Sequence, residues 1–236
     1  MKKSNYVALM PFYLLALITC VALAGWGSGA VTASVQNTPV DRAFTVIIDA
    51  GHGGIDGGAT SCTGILESAF NLQIALKLND LLHLLGYDTV MIRSTDTSIY
   101  TEGNSIAAQK VSDLKERVRI VNGTENAILI SIHQNTFSDS RYSGPQVFYA
   151  DTAGSKSLAE SLQSKLNAAL APESKRTVKK AQSVYLLQNI QRTGVLIECG
   201  FLSNPGEEAK LRDHGYQQEL VTVIAAGLTE FFHRNS

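Results

Sequence analysis

From Phe44 onward, short apolar runs alternate with stretches of helical periodicity. Residues 44–49 (FTVIID) read as a strand rich in β-branched residues, and a glycine-rich loop follows from Gly51 to Gly64. Glu67 then opens a helix, because Phe70, Ile74, Leu78, Leu81, Leu82 and Leu85 recur at helical spacing. Gly86 is placed to end that helix as a left-handed cap, with Tyr87 making the accompanying apolar contact. Residues 89–93 (TVMIR) form the next strand, and residues 94–112 are polar and aperiodic, a long surface loop. A short helix face follows at Leu114, Val118 and Val121. Residues 127–132 (AILISI) are apolar throughout, as a central parallel strand should be. Residues 146–149, 184–187 and 195–197 read as further strands. Leu158, Leu162, Leu166 and Leu170 mark a helix that must stop before Pro172, and Leu220, Val223, Ile224, Leu228 and Phe231 mark the last one. This alternation predicts an α/β fold: a single layered domain whose mostly parallel, twisted sheet carries helices on both faces.

The first 40 residues stand apart. After Lys2 and Lys3 no charge occurs before Asp41, and an apolar run begins at Val7 and continues to Ala24. A basic start followed by such a run reads as a signal peptide or an N-terminal membrane anchor with a linker. Both readings stay open, since residues 22–24 and 31–33 offer small side chains for cleavage. Either one puts residues 41–236 to work outside the cytoplasm, exported across or anchored to the membrane on its cell-wall side. Of 236 residues, 44% are hydrophobic and 17% charged, which excludes a disordered chain. The net charge of -1 argues against a nucleic-acid partner. Cys62 and Cys199 are too few for a disulfide framework.

Ligands in open α/β sheets bind beyond the carboxyl ends of the strands. His52 follows the first strand, His133 the central one and Glu198 the last, while Glu67 opens the first helix toward the same rim. His52, His133 and Glu67 make a two-His, one-carboxylate set, which suits catalytic zinc with a fourth position left for water. Glu198 would then serve as general base. Taken singly, a histidine after a strand or a glutamate at a helix start needs no metal. Glu198 differs, because it ends an apolar strand where a carboxylate is costly to desolvate unless paired or functional. The glycine-rich loop lacks the ending of a P-loop, and no Gly-x-Ser-x-Gly elbow of a serine hydrolase occurs. A cysteine hydrolase on Cys199 or Cys62 stays open, though neither opens a helix.

Four segments carry a family resemblance. Residues 46–54 (VIIDAGHGG), Glu67 with Asn71 and Leu72, residues 131–135 (SIHQN) and residues 195–205 (VLIECGFLSNP) resemble, in order, the motifs of the zinc-dependent, type-3 N-acetylmuramoyl-L-alanine amidases. The resemblance covers residues 44–234. It implies one Zn2+ held by His52, Glu67 and His133, with Glu198 catalytic. It implies hydrolysis of the amide between N-acetylmuramic acid and L-alanine, so the partners are peptidoglycan glycan strands with stem peptides. Ala50 stands where the family usually has proline, and residues 134–136 (QNT) replace a smaller-residue version. The long polar loop, the segment from Asp113 to Val118, the lack of a cell-wall-binding module and the apolar N-terminal segment resemble the spore-cortex, germination-specific subgroup. There the amidase acts before a muramic acid deacetylase, which completes muramic-δ-lactam. The resemblance leaves room for an accessory exported protein.

Overall fold

The computed structural model describes residues 44–235. The expected export or anchor segment lies outside the described residues. No helix among the described residues is long and apolar enough to cross a membrane.

Six strands form one sheet: β1 (Thr45–Ala50), β2 (Asp88–Met91), β3 (Ala127–Asn135), β4 (Gln146–Tyr149), β5 (Lys179–Lys180) and β6 (Thr193–Phe201). Their order is β2-β1-β3-β6-β4-β5. All neighbours run parallel except β4 and β6, which are antiparallel. Period-2 alternation sorts the strands' side chains onto two faces. Val46, Ile48, Ile128, Ile130, Ile132, Val195 and Ile197 join one core with α1 (Glu67–Leu84), α3 (Ser155–Leu170) and α6 (His214–Asn235). Ile47, Leu129 and Leu196 face the other way, under α2 (Ile106–Gly123) and the short α4 (Tyr185–Asn189). This is the α/β fold expected, and its central strands are apolar on both faces because both are covered.

The ending of α1 follows its sequence. Gly86 takes φ 84°, its N–H bonds the His83 carbonyl, and Tyr87 N–H bonds that of Leu82, closing a Schellman motif. Tyr87 is buried and stacks on Phe232.

Three expectations need correction. Residues 106–112 are not loop; α2 begins at Ile106, where the Ser105 hydroxyl accepts the Ala108 N–H. Its first turns show no apolar periodicity because Ile106 and Val111 are exposed. Residues 184–187 are not a strand: they lead into α4, where Gln188 N–H bonds the Val184 carbonyl. Four apolar residues are too few to separate a period of 2 from one of 3.6, and the adjacent Leu186 and Leu187 are both buried. A helix the sequence pattern did not announce, α5 (Pro205–Arg212), follows β6, with Asn204 capping it and proline in its first turn.

Candidate active site

The chain leaves β1 toward β2 on one side of the sheet and returns to β3 on the other, so β1 and β3 flank a topological switch point. The sequence-chosen residues meet there. His52 lies just beyond β1, Glu67 is the first residue of α1, and His133 and Glu198 stand directly opposite one another in register on β3 and β6. His52, Glu67 and His133 each offer a donor atom, and these lie within 4.8 Å of one another. Glu67 bridges the pair: Oε2 is 3.3 Å from His52 Nε2, and Oε1 is 2.9 Å from His133 Nδ1.

The approach is tight enough to require glycine at two points. A Cβ on Gly51 would sit 2.1 Å from His133 Nε2. One on Gly58, whose φ is +69°, would sit 2.6 Å from Glu67 Oε2. His52 itself has φ 60°, an uncommon conformation for a residue with a side chain. Two buried arginines hold this turn. Arg93 donates to the carbonyls of Ala50 at 2.7 Å and Gly51 at 3.0 Å. Arg117 donates to those of Ala50 at 3.1 Å and His52 at 2.8 Å. Arg117 also pairs with buried Asp49, which accepts the Ser131 hydroxyl. The Ala50 carbonyl is thus fixed by two guanidinium groups.

Electrostatics follow from burial and pairing. Burial alone would raise the Glu67 carboxyl, but His133 and His52 outweigh it and hold Glu67 well below the usual carboxylate range. Burial opposes protonation of His52, yet Glu67 and Asp56 raise it to about 9. Asp56 accepts from His52 Nδ1 at 2.8 Å and is itself paired with Lys110 at 2.7 Å. Glu198 goes the other way. Burial pushes it up to about 7, the histidines oppose and Glu67 adds to the rise. Its Oε2 is buried without a hydrogen-bond partner. A cleft of about 320 Å³ opens here, lined by His52, Asp56, Arg117, His133, Tyr185 and Glu198. The misread segment at 184–187 thus forms part of its wall.

The donor set fits a zinc ion: two neutral-capable imidazoles, one ionised carboxylate, and a carboxylate oxygen beside them awaiting a proton donor. Asp56 supplies the outer carboxylate that such a histidine usually has. The cysteine alternative loses ground. Cys62 and Cys199 are both free, and Cys199 is fully buried, which pushes its thiol far above the range of a useful nucleophile. Sequence reading missed Asp56, Arg93 and the Asp49–Arg117 pair as parts of the site. A polar residue inside the first strand, Asp49, was the available sign that a buried cation would answer it.

An α/β sheet with a His–Glu–His cluster at its switch point and a desolvated glutamate opposite one histidine defines a hydrolase with a candidate metal centre. The family described as N-acetylmuramoyl-L-alanine amidase matches residues 46–230, and the chain belongs to it. It therefore hydrolyses the amide between N-acetylmuramic acid and L-alanine in peptidoglycan. The germination-specific N-acetylmuramoyl-L-alanine amidase of Bacillus subtilis is 35% identical over 189 residues, covering 79% of this chain and 79% of that one. The CwlD amidase of Clostridioides difficile, solved in complex with the GerS lipoprotein, superposes with a TM-score of 0.77 at 36% identity, covering 80% of this chain and 98% of that one. A second Clostridium difficile amidase structure gives a TM-score of 0.71 at 32% identity, covering 83% and 100%.

Proposed function

We propose that the chain is a zinc-dependent amidase in which His52, Glu67 and His133 hold the metal and Glu198 is the general base. The observation that carries this is the register pairing of Glu198 with His133, which leaves a desolvated carboxylate oxygen unpartnered beside the donor set. Zinc bound there would supply a water acidified to a pKa of about 7 and would polarise the amide carbonyl. Glu198 takes the proton of the attacking water and passes it to the leaving nitrogen of L-alanine. Its raised pKa suits both halves of that task, since a strongly acidic carboxyl would be too weak a base to take the water's proton, and a much more basic group would not release it to the nitrogen. Asp56 holds His52 Nδ1 so that Nε2 faces Glu67. Arg93 and Arg117 keep the turn that carries His52 in place.

The division into an export or anchor segment, residues 1–40, and a catalytic domain, residues 41–236, belongs to the same proposal, as does action on the cell-wall side of the membrane. The germination-specific relative supports a role in spore cortex, where stem-peptide removal precedes deacetylation of muramic acid and formation of muramic-δ-lactam. The relative solved in complex with a lipoprotein supports an accessory exported partner. The test is mass spectrometry of muropeptides after incubation with zinc-loaded protein. Release of stem peptides that stops on chelation and returns with zinc is expected. Full activity without metal would overturn the zinc reading. Normal muramic-δ-lactam in spores lacking the protein would overturn the cortex role.

A further inference from the structure

The loop from β3 to β4, residues 136–145, passes beside the carboxyl end of β6, where its Phe137 N–H bonds the Ser203 hydroxyl. It carries two large apolar side chains left in the open, Phe137 at 51% exposed and Tyr142 at 48%. Their rings meet edge to face with centroids 4.7 Å apart. Tyr142 leans in turn on Phe201, 6.1 Å away, and the Arg176 guanidinium covers Phe201 at 5.3 Å. The loop is tied down around them. Besides the bond from Phe137, the Asn204 amide donates to the Tyr142 carbonyl at 3.2 Å, and Gly144 N–H donates to Glu207 at 2.7 Å. The two rings are therefore ordered before anything binds, at an apolar exposure that brings the fold no core.

We propose that Phe137 and Tyr142 form a platform for a pyranose ring of the glycan strand flanking the bond to be cut. This rests on the reading of the cleft as a peptidoglycan amidase site. Phe201 follows Glu198 by three residues on β6, so the platform's base lies within about 11 Å of the general base along the strand. The substrate is a polymer, so sugars on either side of the cleaved lactyl amide extend beyond the cleft, and the loop at the carboxyl ends of β3 and β6 lies within their reach. The C–H faces of a pyranose carry partial positive charge and match the negative face of an aromatic ring. Asp139 and Arg141, paired at 2.7 Å, lie between the two ring residues on the same loop and offer groups able to bond hydroxyls and acetamido oxygens. Preordered rings give affinity at little entropic cost.

The platform predicts binding that does not need the stem peptide. Peptide-free glycan strands of alternating N-acetylglucosamine and N-acetylmuramic acid are titrated into the zinc-loaded full chain by calorimetry. Binding is expected, weakened about tenfold or more in Phe137→Ala/Tyr142→Ala and retained in Tyr142→Phe. Circular dichroism checks the fold. If the double variant unfolds, Phe137→Ala alone carries the comparison. Hydrolysis is followed in parallel on whole strands and on a single muramoyl peptide, and the loss should fall on KM for the polymer. Absence of binding by the natural protein, equal losses on both substrates, or unchanged affinity in a folded double variant would overturn the platform, the last pointing to a protein partner for these rings. Natural protein that binds peptide-free strands yet cleaves neither substrate would overturn the amidase reading while leaving the platform standing.

Discussion

In the proposed mechanism a single carboxylate, that of Glu198, carries turnover. Glu198→Gln keeps nearly the same shape and can still hydrogen-bond, but it cannot accept a proton. Turnover is expected to fall by about 10²–10⁴-fold with zinc content unchanged. His52→Ala should instead lose metal. Measuring zinc by mass spectrometry beside muropeptide release separates the two, and a Glu198→Gln protein emptied of zinc would make Glu198 a ligand. Asp56 acts one step further out, since it grips the far nitrogen of His52 at 2.8 Å. Asp56→Ala should weaken zinc affinity by about 10–100-fold, read by competition with a chelator, while the fold stays intact. Affinity equal to that of the natural protein would mean that the Arg117 bond to the His52 carbonyl is enough to aim the ring.

Between elements, the Asp49–Arg117 pair joins β1 to α2 beneath the site, and its charge state couples the fold to pH. Burial by itself would raise the Asp49 carboxyl, but Arg117, His133 and the Ser131 hydroxyl hold it below its ordinary value. A carboxyl depressed in the folded state adds stability that is present above its unfolded pKa of about 3.9 and is lost as pH falls through the lower folded value. Urea midpoints should therefore drop as pH falls below about 4, and less steeply in Asp49→Asn. Arg117→Met, which strands a buried carboxylate, should cost about 3–5 kcal/mol at pH 7. Neither guanidinium was readable as part of the site, because Arg93 and Arg117 sit where a strand end and a helix face would ordinarily show charge to solvent. The sheet strands with long apolar runs were readable, and so was the start of α1, since burial on both faces leaves few other residues possible. The elements that escaped were those whose side chains do not report burial: the exposed first turns of α2, the capped α5, and the α4 segment too short to show a period. The meeting of the four candidate site residues was legible for a different reason. His52 comes just after β1, Glu67 opens α1, and His133 and Glu198 lie on β3 and β6 a little before those strands end, not after them as their sequence suggests, so chain order alone brings them to one rim.

At the scale of the whole described domain, none of the candidate donor residues His52, Glu67 and His133 belongs to either hydrophobic core. These three residues already satisfy one another, with Glu67 between His52 and His133 at 3.3 and 2.9 Å. The metal-free protein should therefore be folded and cooperative, unlike small zinc domains whose core is the metal itself. Zinc then adds stability by mass action alone: about 2.7 kcal/mol when free zinc is 100 times its Kd. For a domain of this size about 1 kcal/mol moves Tm by roughly 2–4 °C, so saturation should raise Tm by about 5–11 °C. Thermal unfolding followed by circular dichroism, with chelator and with zinc, measures the difference. His52→Ala should melt near the metal-free protein and gain little from zinc. A natural protein that unfolds on chelation would mean that the rim is built on the metal rather than beneath it. A His52→Ala protein that gains as much as the natural one would place the stabilising zinc somewhere other than this cluster.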